Sequence, residues 1–203
     1  MSEQKEKRMV ADTGYEVLLS EWVGGKEFIV AENPQADETE RYMAATYERK
    51  AFLGQYFDVV VGDEYDDAAQ EFEKRVNTAR EVIESELDKR GFPSELFTAE
   101  QCVPHSYEQD INKKVVAIKP ECLADEYRRG SEQLMYVTGG FGASRNSRGT
   151  AVFCVQLSDG TKARYERYQV LGIVKDLPDW AKQRLDTVKA DIAKSRKERN
   201  DAR

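Results

Sequence analysis

The chain has 203 residues and a formal net charge of −7, with 40% hydrophobic and 34% charged residues. That length suits one domain or two small ones, and 8 Phe, 10 Tyr and 2 Trp under a mean hydropathy of −0.72 describe a charged surface over a core, not disorder throughout. No apolar run approaches the ~20 residues of a membrane helix, and the charged start Met-Ser-Glu-Gln-Lys-Glu-Lys-Arg is read as no secretory leader, so a cytoplasmic protein is expected.

Residues 1–12 are polar. Residues 15–19 read as a strand, Gly24-Gly25 as a hairpin turn and residues 27–30 as the returning strand. Residues 32–37 are a loop. Residues 41–47 fit strand better than helix, with 55–61 as the partner after a turn near Gly54. A long helix over 64–90 follows. Asp63 is its expected N-cap, Asp66 and Asp67 sit in its first turn, and Phe72, Val76, Ala79, Ile83 and Leu87 form one apolar stripe. Lys89-Arg90-Gly91 is a stop signal.

Residues 91–110 read as a connector with one short helix near 95–101, and the division between subdomains is expected there. Beyond it come a strand at 114–118, a short helix after Pro120 ended by Gly130, and a strand at 134–138. A glycine-rich loop at 139–149 leads into a β-hairpin over 150–168, turned by Ser158-Asp159-Gly160. A strand at 170–174 and a C-terminal helix over 178–199 complete the chain. Ala181, Leu185, Val188 and Ile192 give that helix its stripe, and Lys194, Arg196, Lys197, Arg199 and Arg203 make its end basic. Strands do not alternate regularly with helices. The fold class is therefore α+β: two small subdomains, each an antiparallel sheet with helix, spanning 1–110 and 111–203.

Charge divides along the same line. Residues 1–110 carry 26 Asp and Glu against 12 Lys and Arg, a net of −14, and residues 111–203 carry 12 against 19, a net of +7. Such asymmetry fits two modules with different partners, two halves that dock on each other, or two solvated surfaces.

One histidine, His105, leaves no two-histidine metal site, and Cys102, Cys122 and Cys154 form no CxxC. No metal and no cofactor are expected. Cys102 and His105 stand three apart across Pro104, which reads as a buried thiol and a surface imidazole near a turn rather than a nucleophile pair. The glycine-rich loop has neither GxxxxGK[ST] nor GxGxxG, and it leads into a strand, so no helix terminus awaits a pyrophosphate. Arg145 and Arg148 could still hold phosphates as guanidinium forks. On the hairpin, Lys162, Arg164 and Glu166 share one face, and Ala163, Tyr165 and Arg167 the other. Lys162, Arg164 and Arg167 interleaved with Tyr165 and Tyr168 suit a nucleic-acid backbone. Asp63, Glu64, Asp66 and Asp67 form the densest carboxylate cluster. It reads as a helix start, or as an acidic patch that imitates phosphates in a partner's basic groove.

The stretches Tyr136-Val137-Thr138-Gly139-Gly140-Phe141-Gly142, Arg148-Gly149-Thr150-Ala151-Val152-Phe153 and Leu177-Pro178-Asp179-Trp180-Ala181-Lys182 resemble accessory proteins and domains of Firmicutes conjugative and other mobile elements. Glu32-Asn33-Pro34 and the helix from Glu64 carry a looser similarity. These motifs are structural and bring no catalytic residue with them. The resemblance implies an anti-defence role, anti-CRISPR proteins being among the small acidic proteins of such elements. The expected function is thus a non-enzymatic inhibitor that binds a Cas9-like host nuclease through Asp63, Glu64, Asp66 and Asp67. Duplex DNA or guide RNA would be touched by Arg145, Arg148, Lys162, Arg164 and Arg167. The alternative is a stand-alone, sequence-independent nucleic-acid-binding module.

Overall fold

The structure is a computed structural model that describes residues 8–50 and 53–201. The expectations for residues 1–7 and for Arg203 lie outside the described residues; Gly54, expected near the turn, is instead paired in a strand opposite Arg49. Two compact units divide the chain between Lys89 and Arg90. The expected boundary at 110 is corrected accordingly, because residues 91–110 contribute a strand to the second unit. With that boundary the first unit has a net charge of −11 and the second +4, so the asymmetry keeps its sign.

In the first unit β1 (Glu16–Val23), β2 (Lys26–Glu32), β3 (Tyr42–Lys50) and β4 (Leu53–Gly62) form an antiparallel meander in sequence order. Register places Phe28 beside Thr46 and Val30 beside Ala44. Onto that face α1 (Tyr65–Lys89) lays Ala68, Phe72 and Val76, with Ala79 and Ile83 half-buried at the border. The helix begins at Tyr65, so Glu64 flanks it where Asp63 is expected. The opposite face, Ile29, Ala31, Met43 and Ala45, is covered by Val10 and Tyr15. Both faces being covered explains why β2 is an unbroken apolar run and not an alternating one. A bulge in β4 opposite Ala44–Thr46 puts Asp58 at a φ of 50°, and Arg75 of α1 donates to its carbonyl at 2.5 Å.

In the second unit β5 (Cys102–Pro104), β6 (Val115–Ile118), β7 (Leu134–Gly139), β8 (Ala151–Gln156), β9 (Lys162–Glu166) and β10 (Val170–Val174) form one antiparallel sheet in the order β5-β10-β6-β7-β8-β9. β5 has only three residues in a Pro-bearing stretch, too little for a periodic signal. Gly130 opens the single-turn α2 (Gly130–Gln133) where the sequence reading has it close a helix, and residues 120–127 form two 3-10 turns. Gln133 is buried and bonds the backbones of Phe97 and Ile118, which ties the former connector to the sheet.

The link from β9 to β10 makes this sheet curl. Residues 167–169 separate two strands that stand four places apart in the sheet. A flat sheet at about 4.8 Å per strand would set them about 19 Å apart, more than a 3-10 turn of three residues reaches at about 2 Å per residue. The inner face of this barrel-like curl gathers Val116 and Ile118, Met135 and Val137, Val152 and Cys154, Ala163 and Tyr165, and Val170 and Ile173, from all five strands from β6 to β10, into one cluster, with no ladder between β9 and β10 among the described residues. Outside the barrel α3 (Asp179–Asp201) packs Ala181 and Val188, flanked by Leu185 and Ile192, on Tyr136, Val155 and Leu157. The two antiparallel sheets with their helices make the fold α+β.

Candidate nucleic-acid interface

Period-two alternation sends Val152 and Cys154 into the barrel and leaves Phe153 outside, on the face that α3 covers one step away at Val155. Register sets Phe153 directly opposite Arg164 and Val155 opposite Lys162. Phe153 is 49% exposed, and Lys162 and Arg164 are exposed beside it. Arg164 reaches Glu166 at 2.7 Å, and the Thr150 hydroxyl also donates to that carboxylate.

The glycine-rich loop lies against the start of β8. A Cβ on Gly140, whose φ is 106°, would meet the Ala151 carbonyl oxygen at 2.3 Å, and one on Gly142 would meet the Thr150 oxygen at 2.1 Å. These glycines serve close backbone packing, not a phosphate cradle. The loop holds Phe141 out at 79% exposure, with Arg145 and Arg148 also exposed. Two exposed phenylalanines and four exposed cations are thus carried by this strand pair and the loop that leads into it, residue types that can stack bases and neutralise phosphates.

Arg167 is not part of this surface, and its expected phosphate contact is withdrawn. It is 1% exposed. Its guanidinium donates to the Ser106 and Gln109 carbonyls at 2.6 and 2.9 Å, to the Gly142 carbonyl at 3.1 Å and to His105 Nε2 at 3.3 Å. It is a clamp on two loops, residues 105–109 and the glycine-rich loop. Tyr165 is likewise turned into the barrel, where burial pushes its phenol up to about 12. Tyr168 remains exposed. Cys102 belongs to the core beneath α3 while His105 is held by Arg167, so the two are not a catalytic pair. Burial also raises the Cys102 thiol and pushes Cys154 up to about 12, the behaviour of inert core thiols.

In the first unit Asp63, Glu64, Asp66 and Asp67 are all exposed at the start of α1. The helix extends their charge: Glu73, Glu81 and Glu86 are exposed and have no ion pair among the described residues. Of its cations, Lys74 and Arg75 pair with Glu71 at 3.3 and 2.8 Å and Arg80 with Glu21, while Lys89 is exposed in the last turn. The solvent side of α1 is accordingly a carboxylate surface.

Among the described residues no group of three His, Cys, Asp or Glu is placed to hold a metal ion, and no helix is long and apolar enough to cross a membrane. Sequence reasoning missed Phe141 and Phe153. Phe153 shares its face with Val155 and Leu157, so alternation alone assigns it to the core, yet it is not part of the cluster that α3 covers. Compared with known protein families, curated proteins and solved structures, the chain matches none.

Proposed function

We propose that this protein works by binding, not catalysis, and that its second unit holds nucleic acid without regard to sequence through the outer face of β8–β9. The observation that carries this reading is the pairing of exposed Phe153 with Arg164, flanked by Lys162, Phe141, Arg145 and Arg148. Exposed rings favour single strands, whose bases are free to stack, while the cations follow the backbone. No recognition helix offers base-reading side chains, so contacts are to phosphates and ring faces. The test is fluorescence anisotropy with a labelled single-stranded oligonucleotide of mixed sequence, against the same sequence as duplex. Tighter binding of the single strand, weakened about fivefold or more by Phe153→Ala, supports the proposal. Absence of binding at low salt overturns it.

A second reading rests on a separate observation, the exposed carboxylates of α1. Asp63, Glu64, Asp66, Asp67, Glu73, Glu81 and Glu86 would imitate a phosphate track and occupy the basic groove of a nucleic-acid-handling protein, such as the Cas9-like nuclease that the resemblance to mobile-element proteins implies. Inhibition of such a nuclease that survives Phe153→Ala but is lost when Glu73, Glu81 and Glu86 become Lys favours this reading; inhibition insensitive to these α1 charges refutes it.

A further inference from the structure

Away from the Phe153 face, a cleft of about 380 Å³ opens in the second unit where the β8–β9 turn, α2 and the 3-10 turns of 120–127 meet. Its walls are Tyr127, Tyr165, Leu123 and Cys122, and its charged groups are Arg90, Glu132 and Asp159. That volume and that mix of rings with a few convergent polar groups suit a small molecule.

The charges decide which kind. Glu132 is only 4% exposed, a carboxylate taken out of water. Gln156 Nε2 donates to its Oε2, and the Ser131 hydroxyl stands 3.3 Å from its Oε1. Its only cation among the described residues is Arg90, whose Nη1 lies 3.6 Å from Glu132 Oε1 and equally 3.6 Å from Asp159 Oδ2. One guanidinium is therefore shared between two carboxylates, beyond direct hydrogen-bond distance of either. The cleft carries one net negative charge, and its buried member is incompletely compensated. The Tyr165 hydroxyl, beside this group, has no hydrogen-bond partner among the described residues.

We propose that this cleft binds a small organic cation: an ammonium or guanidinium group carrying N–H donors, borne on an aromatic or aliphatic body. The cationic head completes the hydrogen bonding of Glu132 and Asp159, and the body lies between Tyr127 and Tyr165, where cation–π attraction adds to the contact. The site is independent of the nucleic-acid reading.

Benzylamine is the probe, titrated into the full chain by calorimetry and by chemical-shift mapping, with neutral benzyl alcohol as its counterpart. Saturable benzylamine binding that benzyl alcohol does not reproduce, with shifts centred on residues 122–132 and 156–165, supports the site. Glu132→Gln should weaken it at least tenfold. Because Glu132 is buried, Asp159→Asn on the turn serves as the second variant, and thermal unfolding of both variants reports their fold; a folded Asp159→Asn protein should also bind more weakly. No saturable binding, equal binding of the alcohol, or binding that both folded variants retain in full overturns the proposal.

Discussion

Arg167 Nε donates to His105 Nε2 at 3.3 Å, so the single histidine of this chain serves as an acceptor to a buried guanidinium. An imidazole can do so only when neutral, with its proton on Nδ1. Burial and the nearby Arg167 and Lys119 charges hold His105 below its ordinary value of 6.5. In the unfolded chain it takes up a proton near 6.5. The unfolded state therefore binds more protons just below that pH, and stability falls as pH drops. We expect the urea midpoint to be flat from pH 8 to 7 and to decline between pH 6.5 and 5, before most carboxylates titrate. His105→Gln keeps an acceptor but cannot titrate, and should flatten that decline. An unchanged slope in His105→Gln would assign it to other groups.

Arg167→Lys separates a clamp from a phosphate contact. Lysine keeps the charge but not the planar fork that serves three carbonyls and an imidazole. Leaving buried acceptors unpaired should cost about 2–4 kcal/mol in chemical denaturation. Nucleic-acid affinity, measured where both proteins are fully folded, should not change. A variant as stable as the parent but weaker in binding would return Arg167 to the interface.

Most strands and both long helices were legible because their signals are local: alternation in 151–157, the Gly24-Gly25 turn, the stripe from Phe72 to Leu87. What escaped depends on long-range packing. β5 is recognisable only through its pairing with β10. Arg167 reads as one more cation of a basic hairpin, and nothing nearby in sequence announces the carbonyls of Ser106, Gln109 and Gly142 that enclose it. Phe153 is the converse case, an aromatic on a core-like face that no element covers. Glu132 is one carboxylate among many until the fold buries it. Of the expected interface, Arg145, Arg148, Lys162 and Arg164 stay on the surface because they lie on a loop or on the outer side of the barrel wall.

The α1 stripe gives a direct stability test. Phe72 packs with Val23, Phe28, Val30 and Ala44 in the core of the first unit. Phe72→Ala should cost about 3–5 kcal/mol. Val82, half-exposed on the same helix, is the control, and Val82→Ala should change stability by about 0.5 kcal/mol or less. Equal effects would mean that the stripe does not bear the core.

The ion pair between Arg164 and Glu166 makes the nucleic-acid reading quantitative. Glu166 lies 2.7 Å from the guanidinium that would meet a phosphate, so it competes with the ligand for that charge. Removing the competitor by Glu166→Gln should tighten single-strand binding, whereas Arg164→Ala should weaken it. The salt dependence tells these roles from a stacking one. Each phosphate neutralised on a single strand contributes a slope of about −0.7 in log K against log salt. Arg164→Ala should therefore flatten the slope by about 0.7, since one cation is lost. Phe153→Ala should lower affinity by the ~1–3 kcal/mol of one stacked base and leave the slope where it was. Arg164 is exposed while Glu166 is half-buried and caps the 167–169 turn, so Arg164→Ala should barely change thermal stability, and Glu166→Gln is compared with the parent at a temperature where both are fully folded. A Phe153→Ala protein that loses slope, or an Arg164→Ala protein that keeps it, would show that these two neighbours do not divide the work between base and phosphate.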